Sequence, residues 1–152
     1  MNLRVLSPTS QWYSGGLKFT CTQCGNCCTG PAGYVWLSRE ELVRLAEFLK
    51  LSLQETVDRY CRLVGDRISL RERIALNGEH DCIFLQESGG KRICSIYPVR
   101  PLQCRTWPFW PGNLSGEEAW NVAAQRCPGM NKGHFHSAQE IEKLRDAEDW
   151  PR

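Results

Sequence analysis

Residues 21–28 read CTQCGNCC and place four cysteines, Cys21, Cys24, Cys27 and Cys28, within eight positions. The first three form two overlapping CxxC steps, and Cys28 follows Cys27 directly. Thiolates three positions apart close on one metal when a tight turn brings their sulfurs together. Gly25 lies inside that turn and takes positive φ at little steric cost. Asn26 tolerates the same region better than most residues. Buried thiols have no need of this spacing, and a disulfide framework rarely crowds four sulfurs so closely. The stretch therefore reads as a metal or iron–sulfur knuckle.

The 152 residues suffice for one domain with a real core. Hydrophobic content of 41% and charged content of 24% put the chain among ordinary globular proteins rather than disordered ones. A formal net charge of +2 is neutral evidence about partners. No basic run reaches five residues, so nucleic acid is the weakest partner class. The 9 cysteines are too sparse for a small disulfide scaffold. The opening MNLRVLSPTSQ offers no apolar h-region or cleavage site. No apolar run approaches the roughly 18 residues that a membrane helix needs. These features predict a cytoplasmic protein with no membrane segment, in a reducing compartment where clustered cysteines hold metal rather than disulfides.

Outward from the knuckle, residues 1–20 read as an irregular lead-in with a turn at Gly15-Gly16 and a short strand at Leu17-Lys18-Phe19. Gly30-Pro31-Ala32-Gly33 is loop, and 34–37 is a short extended piece. Ser38 with Glu41 makes a capping box, and Leu42, Leu45, Ala46 and Leu49 give the following helix one apolar face. Ser52 and Glu55 repeat the cap. A second helix is expected to carry Leu53, Val57, Tyr60, Cys61 and Val64 on one stripe and to stop at Gly65. Residues 67–76 read as extended, and Asn77-Gly78 as a hairpin turn. Residues 82–86 and 91–96 read as two strands joined through Ser88-Gly89-Gly90. Pro98, Pro101, Pro108 and Pro111 forbid long regular structure. Residues 119–125 suit strand or helix equally, 127–129 form a knuckle-like turn, and Ser137 caps a last helix over about 137–147. The expected fold is a small α+β single domain over 1–152, core about 12–133, with short strands and two to three helices, stapled by cysteine-ligated metal.

Five cysteines lie outside the knuckle. Cys61, on the helical stripe, reads as a small buried apolar residue. Cys82, Cys94, Cys104 and Cys127 each sit at a strand end or a Pro/Gly turn, where ligands are placed. Cys127-Pro128 resembles the end of a ferredoxin-type run. Eight candidate thiolates could complete two four-thiolate sites. Adjacent Cys27 and Cys28 cannot easily face one small ion, so different centres or roles are expected for them. Thiolates suit iron and zinc alike.

CTQCGNCCTG, CIFL, CSIYPVRPLQCRTWPF and CPGM together resemble the YkgJ-type cysteine-cluster family, the CxxCxxCC zinc- or iron-chelating domain. The resemblance runs from about Trp12 to Gly133. It implies metal ligation by Cys21, Cys24, Cys27, Cys28, Cys82, Cys94, Cys104 and Cys127, and it leaves Cys61 structural. The family also includes flagellin lysine N-methylases, which are much longer and resemble iron–sulfur-dependent methyl-transfer enzymes. Here neither a Gly-rich strand–turn–helix for S-adenosylmethionine nor a CxxxCxxC motif is present, so methyl transfer carries over weakly.

Other groups admit two readings. Arg92, Arg100 and Arg105 either offset cluster charge and donate to its sulfurs or brace the Pro-rich loop, and Tyr97 either donates to a sulfur or packs. Trp107, Phe109 and Trp110 read first as core. His80, His134 and His136 are possible ligands made less necessary by eight cysteines. The leading expectation is a protein binding an iron–sulfur cluster, of the 4Fe–4S kind, or else zinc. An iron–sulfur transferase or oxidoreductase and a zinc-type interaction module are the alternatives. Nothing in the sequence points to a particular protein partner.

Overall fold

The computed structural model describes residues 11–147. The part of the expected lead-in before Gln11 lies outside them. The elements in chain order are β1 (Leu17–Phe19), β2 (Trp36–Leu37), α1 (Arg39–Leu49), α2 (Leu53–Tyr60), β3 (Cys61–Val64), β4 (Arg67–Leu70), β5 (Glu72–Ile74), β6 (His80–Cys82), β7 (Leu85–Ser88), β8 (Lys91–Cys94), α3 (Leu102–Thr106), α4 (Pro111–Leu114), α5 (Glu117–Ala124), β9 (Met130–His136) and α6 (Ala138–Arg145). Two 3₁₀ turns, Asn26–Cys28 and Tyr97–Val99, join them. The class is mixed α+β with short antiparallel strands, as expected. Among the described residues no helix is long and apolar enough to cross a membrane. Contacts divide the chain into two compact units, Gln23–Arg105 and the combination of Met1–Thr22 with Thr106–Arg152.

The unit Gln23–Arg105 is built on a three-stranded antiparallel sheet ordered β2-β4-β3 and two hairpins, β5-β6 and β7-β8. α1 starts at the expected capping box: Ser38 Oγ accepts from Glu41 N at 3.2 Å, and Glu41 Oε1 accepts from Ser38 N at 3.1 Å. Its apolar stripe buries Leu42 and Leu45 with Cys61, Leu70, Phe84 and Ile96. Cys82 and Cys94 pack at the margin of this core, so the cluster of thiols grows from the edge of the hydrophobic interior.

Three boundaries differ from the sequence reading. α2 ends at Tyr60, and Cys61 opens β3 instead of continuing a helix to Gly65. Pairing decides this, because Cys61–Val64 runs against Arg67–Leu70 with Cys61 opposite Leu70. The ladder overrides a helical spacing that was locally plausible. Cys61 is nevertheless buried in the core, at 1% exposure. Secondly, 82–86 is not one strand: β6 ends at Cys82 and the chain turns before β7 begins at Leu85. Thirdly, the strand read over 91–96 ends at Cys94 as β8, and residues 97–106 hold only short helical turns, as the prolines require.

The other unit pairs β1 with β9, antiparallel, with a shift in register after Lys18. Its core joins Tyr13, Phe109, Leu114, Trp120, Cys127, Met130 and Ile141. Phe109 and Trp120 stack with centroids 5.7 Å apart, and Trp12 Nε1 donates to Leu114 O at 2.8 Å. Phe109 is buried as core, while Trp107 meets Trp110 edge-on at 4.8 Å. The ambiguous 119–125 segment is helical as α5, and the expected last helix is α6, capped by Ser137. β9 has no counterpart in the sequence reading.

Candidate metal centre

The knuckle turns where glycine permits it. Gly25 has φ +79°, and a Cβ there would come within 3.1 Å of both Arg92 Cβ and Leu85 Cδ1. The 3₁₀ turn Asn26–Cys28 follows, closed by Cys28 N donating to Gly25 O at 3.0 Å. Asn26 N donates to Cys24 Sγ at 3.4 Å. Arg92 Nη2 donates to Asn26 Oδ1 and so braces the turn.

The chain leaving the knuckle is tied to β6. Gly30 and His80 exchange backbone hydrogen bonds of 3.1 and 2.7 Å, and Thr29 Oγ1 donates to Asp81 Oδ1 at 2.6 Å. Cys28 is thereby carried toward Cys82, the last residue of β6. The β7-β8 ladder sets Cys94 opposite Leu85. Arg73 donates to Ile83 O and Leu85 O, fixing the turn between β6 and β7.

Cys104 is delivered by α3, whose anchor is Gln103, 5% exposed. Gln103 Oε1 accepts from Trp36 N at 2.9 Å and its Nε2 donates to Tyr34 O at 2.8 Å, so the side chain completes the free edge of β2. Glu41 Oε2 accepts from Leu102 N at the start of the same helix. Sequence reasoning found Glu41 only as a cap and missed Gln103.

These supports bring five sulfurs of one unit into electrostatic reach. The Cys28 thiol hydrogen-bonds to Cys27 and to Cys94. That bond lowers Cys27 to about 7 against the opposing effect of burial. The bond to Cys28 likewise lowers Cys94 to about 7. Cys28 is pushed strongly up by the same two bonds and by burial. Burial pushes Cys82 up to about 11. Burial first, then the charges of Cys82, Cys27 and Cys94, hold Cys104 well above the usual thiol range. Physically, the single proton on Cys28 lies between two sulfurs and favours the thiolate form of whichever one it faces. Cys27 and Cys28 therefore contact each other instead of diverging. A 3₁₀ turn advances about 120° per residue, where a strand would send neighbours to opposite sides.

Arg100 lies close enough to favour the thiolates of Cys27 and Cys94. It stacks on Tyr97 at 3.8 Å and donates to Tyr97 O at 3.1 Å. Arg105 Nε donates to Arg100 O at 3.1 Å. Arg100 thus lies near the thiols and braces the loop through Tyr97, whereas Arg105 and Arg92 brace backbone and turn. His80 Nδ1 sits 3.6 Å from Glu72 Oε1.

In the other unit, Cys21 is exposed. Cys127 is buried, and its Sγ accepts from Trp107 Nε1 at 3.4 Å. Burial pushes Cys61 up to about 11, as for an inert core thiol. Among the described residues, the trio whose ligand atoms all lie within 4.8 Å of one another is not a sulfur set but His134, His136 and Glu140. In Gln23–Arg105, Cys28 hydrogen-bonds to Cys27 and to Cys94, but among the described residues no three thiols lie within 4.8 Å of one another. Soft, partly ionised sulfur donors at a core margin fit a thiolate-bound metal or cluster.

A family model, CxxCxxCC, described as "Putative zinc- or iron-chelating domain", matches residues 20–128. An uncharacterized protein of Methanocaldococcus jannaschii is 35% identical over 97 residues, covering 64% of this chain and 48% of the relative. The chain thus spans about half the length of that curated relative. No solved structure matches.

Proposed function

The chain belongs to the CxxCxxCC family of zinc- or iron-chelating domains, and from that premise we propose that it binds an iron–sulfur cluster through Cys24, Cys27, Cys28, Cys82, Cys94 and Cys104. The observation that carries this reading is the Cys28 thiol held between Cys27 and Cys94 with Cys104 and Cys82 nearby. A proton in that position is what a bound cation displaces. Besides the buried Cys61, this unit holds six thiols, more than the four that one zinc site or one four-cysteine cluster takes, so the set has ligands to spare for either. Arg100 offsets part of the negative charge of such a ligand set. The cluster, when bound, supplies electron-transfer or Lewis-acid chemistry. The protein's part is to hold the sulfurs on braced turns at the margin of a core. Cys21 and Cys127, in the other unit, are metal ligands by the resemblance alone and are not counted in this set.

Anaerobic purification with metal and acid-labile sulfide analysis tests the reading. A brown protein with iron and sulfide is the expected result. A colourless protein holding stoichiometric zinc overturns the cluster while leaving the metal-binding premise intact.

A further inference from the structure

His134, His136 and Glu140 lie in the unit that contains neither Cys27, Cys28 and Cys94 nor the supports around them. Their placement follows from local structure. His134 and His136 are two apart on β9, so the strand's period of two gives them a common face. Their rings meet edge-on with centroids 4.7 Å apart. Ser137 caps α6 by accepting from Glu140 N at 3.2 Å, which sets Glu140 in the first helical turn, four residues after His136. His134 N donates to Thr20 Oγ1 at 2.8 Å and fixes the strand against β1.

The chemistry of His136 is the telling feature. Its Nε2 lies 3.1 Å from Phe19 O. A carbonyl oxygen only accepts, so Nε2 carries the proton and donates. In the neutral ring, Nδ1 then presents a lone pair, and it faces Glu140 Oε2 at 3.5 Å. A lone pair aimed at a carboxylate calls for a cation between them. The distance is longer than the 2.7–3.2 Å usual for a direct N–H···O bond. It matches the edge of a tetrahedron around zinc, about 3.4 Å for bonds of about 2.1 Å. A histidine that donates one nitrogen to a backbone carbonyl while the other faces a ligand position is the usual orientation of a metal-bound imidazole.

We propose that His134, His136 and Glu140 form a second metal site, separate from the cysteines, which takes a divalent transition ion of the zinc class. Two imidazoles and one carboxylate suit zinc, cobalt or ferrous iron and leave a coordination position open. His134 and Glu140 are exposed, so their side chains can close the remaining gap without disturbing the core. His136 is 17% exposed in its side chain and packs on Phe109 at 4.9 Å, so it supplies the fixed point.

The test compares the wild-type chain with His134→Gln and Glu140→Gln, both at exposed positions that the fold does not need. Each protein is equilibrated with zinc and analysed for metal, and cobalt is then used as a spectroscopic probe. The expected result is loss of about one zinc per chain in His134→Gln and a roughly 10- to 100-fold weaker zinc affinity in Glu140→Gln. The thiolate-to-cobalt charge-transfer band should be unchanged in both, which separates this site from the cysteines. His136→Gln should lose the same zinc, and its melting curve reports any damage to the Phe109 contact. Unaltered zinc stoichiometry and affinity in His134→Gln and Glu140→Gln overturn the proposal and leave a protonated His136 paired with Glu140. Loss of the charge-transfer band together with the zinc overturns it as well, because the two sites would then not be independent.

Discussion

Cys28 sets the ionisation of its neighbours, and this is testable one residue at a time. Its thiol donates to Cys27 and Cys94 and lowers both to about 7. Removing the donor in Cys28→Ala returns both sulfurs toward the ordinary thiol value of about 8.5. In metal-free protein, the ultraviolet thiolate absorbance should therefore show a step near pH 7 that is absent from the variant. The variant should ionise later, with less thiolate at neutral pH. An unchanged step would sink the shared-proton description. A second comparison contrasts a candidate ligand with a core thiol. Cys24→Ala should lower metal content, whereas Cys61→Ala should leave it unchanged and instead cost about 1 kcal/mol of stability through lost packing. Equal metal loss in the two would mean that Cys61 has been misassigned. Which cysteines are candidate ligands could be read from sequence because spacing and turn residues are local. How Cys27 and Cys28 orient could not. Adjacent residues diverge in a strand and lie about 120° apart in a 3₁₀ turn, and the spacing of the cysteines does not encode the turn that follows Gly25.

The elements show a similar division between local and distant causes. The capping box at Ser38, the cap at Ser137, the Asn77-Gly78 hairpin and the Gly89-Gly90 hairpin were visible because each signal spans a few residues. The α2–β3 boundary was not, since Cys61 pairs with Leu70 across a ladder that local spacing does not encode. β9 escaped notice for the same reason: its partner β1 lies more than a hundred residues earlier, and most of its side chains are exposed, which removes the alternation that marks a strand. Gln103 is the strongest case. Its partners Tyr34 and Trp36 are distant in sequence, yet it fastens the helix that presents Cys104. Gln103→Leu keeps the volume and strands the buried Trp36 N of β2, while the part-buried Tyr34 O just before the strand can turn to water. The expected cost is about 1–3 kcal/mol, the desolvation penalty of the one buried group. Denaturant unfolding would report it, and reduced metal occupancy should accompany it. Full stability in this variant would mean that β2 finds other partners.

At the scale of the molecule, each unit has its own hydrophobic core, one around Leu45, Cys61 and Phe84 and the other around Tyr13, Phe109 and Trp120. The gathered thiols belong to the first. Their supports come from segments spread between Gly25 and Gln103, and each costs chain entropy to hold in place. Without metal, the thiols retain only hydrogen bonds worth about 1 kcal/mol each. Binding free energy at such a site is folding free energy, because the ligand set does not exist in the unfolded chain. Metal removal should then act unevenly. Under reducing conditions, chelation or cluster loss should speed amide exchange across 23–105, most of all at β6, β8 and α3, where the candidate ligands sit. The aromatic core formed by Tyr13, Phe109 and Trp120 does not depend on those thiols for its packing, so α5 and α6 should keep most of their protection. Hydrogen exchange with and without metal, read by mass spectrometry, measures this directly. Equal loss of protection in both units would refute the unit-specific coupling, and unchanged protection everywhere would refute metal-coupled folding itself.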